Sequence, residues 1–359
     1  MATVNTPTAA PLETNHALVI HGAQSCHWEP VPMPVPEEHQ VLLRVAYVGI
    51  CGSDLHYYRD GANGDFQVRE PLIPGHELSA TVAEDPTGEL RAGTPVTVHP
   101  ARWGTPQPGL EDAPNLWPGG SYLGSASTWP HTQGALAEFI VVDRTMLRVL
   151  PEQLPLRRAV LAEPLAVALH AVEQARSVGA HPETARILVS GVGPIGLLTV
   201  AALKAAGAAH ITATDVVPQA LERAERQGAT VCLDVSKDNV PERSYDLVFE
   251  CSGVDAAIAS STSRALRSGG VHVQVGMVSP TSSPIGLSRV ISGEIRIVGA
   301  FRFVHEIDDA IRLLESHSAI EDVITHELDP KDPGPLFATA ADPRLSGKVI
   351  VGVTGTPRP

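Results

Sequence analysis

Three short runs of the chain carry side chains that bind metals. Cys51 opens Cys51-Gly-Ser53-Asp54-Leu-His56, His76 and Glu77 follow Gly75, and Glu163 lies in AEPLAVALHA (162–171). Thiolate, imidazole and carboxylate are ligand types that zinc takes tetrahedrally, and a catalytic zinc keeps three protein ligands and one open position. Cys51, His76 and Glu163 are therefore a candidate set. Each also has a plain structural reading: Cys51 as a core cysteine, His76 as one of 15 histidines, Glu163 as an acid favoured at a helix N-terminus. Spacing alone does not decide whether they converge. The four cysteines, Cys26, Cys51, Cys232 and Cys251, include no Cys-x-x-Cys pair and suggest no disulfide framework.

A second pattern points to a dinucleotide. Gly191-Val-Gly193-Pro194-Ile195-Gly196 follows the β-branched run RILVSG and opens an Ala- and Leu-rich segment, and Asp215 ends the next β-branched run. Glycines there allow a tight turn and let backbone approach a pyrophosphate at the positive end of a helix. Asp215 stands where a carboxylate would hydrogen-bond the adenosine ribose. It would also repel a 2′-phosphate, and Val216 and Val217 supply no cation to hold one, so NAD is favoured over NADP.

These residues need elements to hold them. From residue 186, short β-branched runs (186–191, 210–215, 229–234, 245–253, 269–276 and 295–301) alternate with helix-period segments (194–206, 218–227 and 255–268). Such alternation predicts a doubly wound parallel sheet with helices on both faces, an α/β domain. Residues 1–160 are punctuated by Pro and Gly and predict an irregular β-barrel or sandwich. The stretch 101–134 has no period and reads as a lid-like loop or a lobe of its own. A helix over 305–317 leads to a last strand, 347–353, able to rejoin the first domain. The expected domains are 1–160, with 302–359 returning to it, and 161–301.

The chain has 359 residues with 40 acidic and 26 basic side chains, a net charge of −14. Such a balance disfavours nucleic acid and anionic membranes as partners. No apolar run reaches the ~18 residues needed to span a bilayer. The first basic residue is Arg44, so no basic leader pattern is evident and a cytoplasmic protein is expected.

Taken with VGICGSDLHYY (48–58), PLIPGHE (71–77), ECSG (250–253) and GAFRF (299–303), these motifs resemble the zinc-dependent medium-chain alcohol and polyol dehydrogenases, in the family's order and over nearly the whole chain. The run after Cys51 and the Glu163 site are most similar to sorbitol-type enzymes, and GSASTWPHTQG (124–134) to L-idonate 5-dehydrogenases. The resemblance implies a GroES-like catalytic domain beside a Rossmann domain. It implies zinc on Cys51, His76 and Glu163, the last directly or through water, with Glu77 as an adjacent or alternating acid and Asp54 orienting His76. It further implies a proton relay from Ser53 to His56, cofactor contacts from Val275 and Arg302, and substrate contacts from Tyr57, His131 and Arg302. Family members often hold a second, structural zinc on four close cysteines; residues 100–134 contain none, so one zinc per chain is expected. The expected activity is NAD-dependent oxidation of a secondary alcohol of a polyol or sugar acid by a homo-oligomer, a dimer or tetramer. The alternatives are a zinc-free quinone or enoyl reductase on the same scaffold, and a nucleotide-binding protein without catalysis.

Overall fold

The computed structural model describes residues 14–278 and 285–354. The N-terminal leader reading and the outer domain limits fall partly on residues 1–13 and 355–359, outside the described residues.

The strand Gln40–Gly49 is the spine of a seven-stranded sheet. It pairs antiparallel with Glu77–Glu84 along one edge. Its other edge is shared: Phe139–Asp143 pairs with residues 40–44, and the last strand, Lys348–Gly352, pairs with residues 47–49. This divided edge curls the sheet toward a barrel. The spine reads as a near-continuous apolar run because it feeds two cores. Val41, Leu43, Val45 and Val48 join the barrel interior, while Ala46 and Tyr47 pack with the second sheet's core.

The second sheet has six strands, all parallel, in the order Val231–Asp234, His210–Asp215, Arg186–Ser190, Tyr245–Glu250, Leu266–Gln274, Arg296–Gly299. In chain order this is 3-2-1-4-5-6, the dinucleotide-binding arrangement, whose switch point lies between Arg186–Ser190 and Tyr245–Glu250. Between the two sheets runs the helix Ala162–Ser177, half of whose buried residues are alanine. Small side chains let it pack closely on Pro194–Ala205 and Glu306–Ser316.

One expected helix is shorter than its pattern. Over 255–268 the α-helix ends at Ser260, a π-helical turn occupies Ser261–Ala265, and a strand starts at Leu266. Ser261 donates its hydroxyl to the Ile258 carbonyl, and the Thr262 hydroxyl pairs with buried His272 at 3.0 Å. Hydroxyls that bond the backbone or a core partner compete with the regular helical ladder.

Candidate active site

Cys51 sits where the spine strand ends and the helix Gly52–Asp60 begins, as that helix's N-cap residue. Buried Asp54 organises this corner. One carboxylate oxygen accepts the Cys51 N–H at 2.9 Å and the other accepts the Gly75 N–H at 3.1 Å. Asp54 therefore fixes the backbones that carry Cys51 and His76, with no hydrogen bond to the imidazole. Its reach toward His76 is through this main chain and through charge rather than a direct hydrogen bond.

A ligand atom each from Cys51, His76 and Glu77 lies within 4.8 Å of the others, and this is the one such group of three found among the described residues. Glu77 is also tied to Lys348, whose Nζ reaches both carboxylate oxygens at 2.7 Å and donates to the Ile50 carbonyl at 3.1 Å. Both side chains are buried. Glu163, the second residue of helix Ala162–Ser177, stands outside that group of three and accepts the Tyr122 hydroxyl at 2.6 Å. Burial pushes the Glu163 carboxyl up, against the pull of His76. For His76, burial disfavours the charge, yet the thiolate of Cys51 and the carboxylates of Asp54 and Glu163 outweigh it and lift the imidazole to about 10. A buried centre this rich in anions stabilises positive charge. Its thiolate, imidazole and carboxylate donors fit a zinc ion.

The other expected residues divide. Ser53 is half-buried two positions after Cys51, and its hydroxyl has no hydrogen-bond partner among the described residues. His56 is exposed on the same helix, with Nδ1 beside Asp60 at 3.2 Å. Tyr57, expected as a substrate contact, is buried, and its hydroxyl accepts the Ala126 N–H at 3.0 Å and meets Ser125. His131, also expected as a substrate contact, is buried. Its Nε2 accepts the Arg69 N–H at 2.9 Å and its Nδ1 donates to the Thr128 carbonyl at 3.0 Å, so both nitrogens hold the 124–134 segment in place. Arg302 lies beside Tyr122. Its backbone is left-handed, with φ of 56°, and its guanidinium lies 4.2 Å from the Tyr122 ring centroid. It also borders a cavity of about 270 Å³ lined by Trp103, Asn115, Trp117 and Phe301.

At the switch point, Gly191 has φ of 82°. A Cβ there would strike Ser252, and one on Gly196 would strike the Gly191 carbonyl, whereas one on Gly193 would meet nothing. The turn thus leaves open space before the helix Pro194–Ala205, which begins with Pro194 and Ile195. Asp215 accepts the Val192 N–H on Oδ2, and those of Val216 and Val217 on Oδ1. Oδ2 keeps a lone pair for a ribose hydroxyl. Val275 lies just past the strand Leu266–Gln274, its N–H on the Glu250 carbonyl. These residues fit a dinucleotide.

Sequence reasoning missed Tyr122 and Lys348. Tyr122 lies in the aperiodic stretch, and Lys348 is 271 positions from Glu77; no local pattern marks either.

Residues 37–152 match the family described as alcohol dehydrogenase GroES-like domain, and residues 194–316 the zinc-binding dehydrogenase family. The chain is 33% identical over 335 residues to the sorbitol dehydrogenase of Macaca fascicularis, covering 89% of this chain and 90% of that protein. It is 34% identical over 279 residues to the L-idonate 5-dehydrogenase (NAD(P)(+)) of Escherichia coli, covering 76% and 80%. The crystal structure of an E. coli L-idonate 5-dehydrogenase superposes with a TM-score of 0.87 at 28% identity, covering 94% of this chain and 98% of that one. That of the 2R,3R-butanediol dehydrogenase from Bacillus subtilis gives 0.82, also at 28% identity, covering 94% and 99%. The chain belongs to the zinc-dependent medium-chain dehydrogenase family. It is an oxidoreductase built for zinc and a nicotinamide dinucleotide.

Proposed function

We propose that the protein oxidises a secondary alcohol of a polyol or sugar acid with NAD, a sugar acid of the L-idonate kind first and sorbitol-like polyols next. The observation that carries this reading is Arg302, a guanidinium beside the Cys51, His76, Glu77 and Glu163 centre with no carboxylate in ion-pair range among the described residues. A substrate carboxylate would take it bidentately, more strongly than a neutral hydroxyl. Bound zinc would supply Lewis acidity and the dinucleotide the hydride acceptor. Cys51 and His76 would hold the metal, with Glu77 or Glu163 as the acidic ligand. Ser53 would take the proton from the substrate hydroxyl and pass it toward exposed His56 or water. Asp215 would bind the ribose and favour NAD. A screen of sorbitol, xylitol, L-threonine, L-idonate and 5-ketogluconate, read as NADH absorbance, tests the reading. A simple primary alcohol as best substrate defeats it. The zinc-free reductase has no observation in its favour, since the buried ligand set would then lack a purpose.

The same reading includes three further features. The catalytic domain spans 1–160 with 302–359 returning, and the nucleotide domain 161–301; the pairing of Lys348–Gly352 with the spine strand supports this division. A homo-oligomer is supported by the edge strand Arg296–Gly299, which pairs on one side only among the described residues and follows the exposed Leu287 and Ile291, because such edges recruit a partner strand; sedimentation tests it. A cytoplasmic setting is supported by four free thiols, Cys51 among them, which a reducing compartment preserves; cell fractionation checks this.

A further inference from the structure

Tyr122 is buried at the centre and touches both of its halves. Its hydroxyl donates to Glu163 Oε1 at 2.6 Å, and Oε2 has no hydrogen bond among the described residues. Its ring face lies under Arg302, 4.2 Å from centroid to guanidinium carbon, and the ring meets His76 in a T-shaped contact, with ring centroids 5.4 Å apart at 66°. The residue is anchored from behind. Tyr122 pairs with Ala101 in a short antiparallel ladder, and Leu123 donates to the Pro100 carbonyl at 3.0 Å. Arg102, on the same ladder, is clamped by Asp143 at 2.6 Å.

We propose that Tyr122 is a positioning residue that couples metal and substrate binding: its hydroxyl occupies one Glu163 oxygen and leaves the other for the metal or its water, while its ring carries the guanidinium that meets the substrate. This rests on the reading of the site given above. The physical reason lies in the rigidity of a phenol ring anchored on a strand. Held by two torsions, it fixes a carboxylate at one end and a cation on its face, so neither has to be ordered when ligands arrive. Phenylalanine would keep the ring and the Arg302 contact but leave a buried carboxylate oxygen without its donor. Leucine would remove both.

The test compares wild type, Tyr122→Phe and Tyr122→Leu. Each is stripped of metal and titrated with zinc alone against a chelating dye, then assayed with the best polyol at saturating NAD. For Tyr122→Phe, zinc should bind at least ~10-fold more weakly, as for lost partners of metal ligands. Its KM for the polyol should stay within about twofold of wild type, because the cation–π contact survives. Tyr122→Leu should show the same loss of zinc affinity and a KM raised several-fold. Equal zinc affinity in wild type and Tyr122→Phe overturns the hydroxyl's part. Equal KM in the two variants overturns the ring's. A wild-type protein that takes up no zinc overturns the reading of the site itself, and that result is read before any variant is compared.

Discussion

Ser53 and Arg302 are proposed for different steps, proton transfer and substrate binding, and substitution separates them. Ser53→Ala should lower kcat by ~10²–10⁴-fold, the usual contribution of a positioned proton acceptor, while zinc content and NAD binding stay near normal. Unchanged turnover removes Ser53 from the relay. Arg302→Lys keeps the charge and loses the planar fork. It should raise KM for an acid substrate and leave KM for NAD almost unchanged; the reverse pattern assigns Arg302 to the cofactor. Lys348 matters through Glu77. Both are almost fully buried, and Nζ holds both carboxylate oxygens. Lys348→Met strands a buried carboxylate and should cost about 3–5 kcal/mol of stability, read as a lowered denaturation midpoint in the metal-free protein.

At the scale of elements, two strand ends prepare the nucleotide site. The turn after Arg186–Ser190 depends on a left-handed Gly191 packed against Ser252. Gly191→Ala should therefore weaken both NAD binding and folding, because the added methyl is opposed by backbone strain and by contact. Asp215→Ser should act on the cofactor more selectively, weakening NAD and relaxing the rejection of NADP; faster turnover of the natural protein with NADP at equal concentration defeats that argument. The stretch 101–134 shows how an element lacking a cysteine cluster is held. Tyr57 and His131 bond its backbone, and Arg102 is pinned to Asp143. The expectation of a single zinc per chain is tested by elemental analysis; two per chain refutes it.

At the scale of the molecule, His99 ties the barrel to the segment that follows the six-stranded parallel sheet. Its Nε2 donates to the Val304 carbonyl at 3.1 Å, and its ring packs against Phe303 and Trp103. Burial, aided by Arg148 and opposed by Asp308, lowers its pKa to about 4 from an ordinary 6.5. The unfolded chain thus binds more protons between those values, so stability is lost as pH falls from about 6.5 to 4, by about 3 kcal/mol if His99 acts alone. The melting temperature should drop across that window, and His99→Gln should flatten the drop. Glu306 extends the acid limit. Its carboxyl, held down to about 2 mainly by His170 against the cost of burial, contributes stability that is lost as pH falls from about 4.5 toward 2.

The local pattern of residues settled much of this in advance. β-branched runs separated by helix-period segments require crossover connections, so parallel strands follow from sequence; the glycine turn and Asp215 follow because a tight turn constrains residues close in the chain. The Cys51 and His76 runs were visible for the same reason: each lies at the mouth of a recognisable strand. Tertiary structure alone decided what is made across distance. It placed Glu77 within ligand reach of Cys51 and His76, set Lys348 on Glu77 and Tyr122 on Glu163, and spent the polar atoms of Tyr57 and His131 on backbone. Hydrogen bonds and ion pairs form between atoms within about 3 Å whatever their sequence separation, and burial decides which polar groups must find such partners.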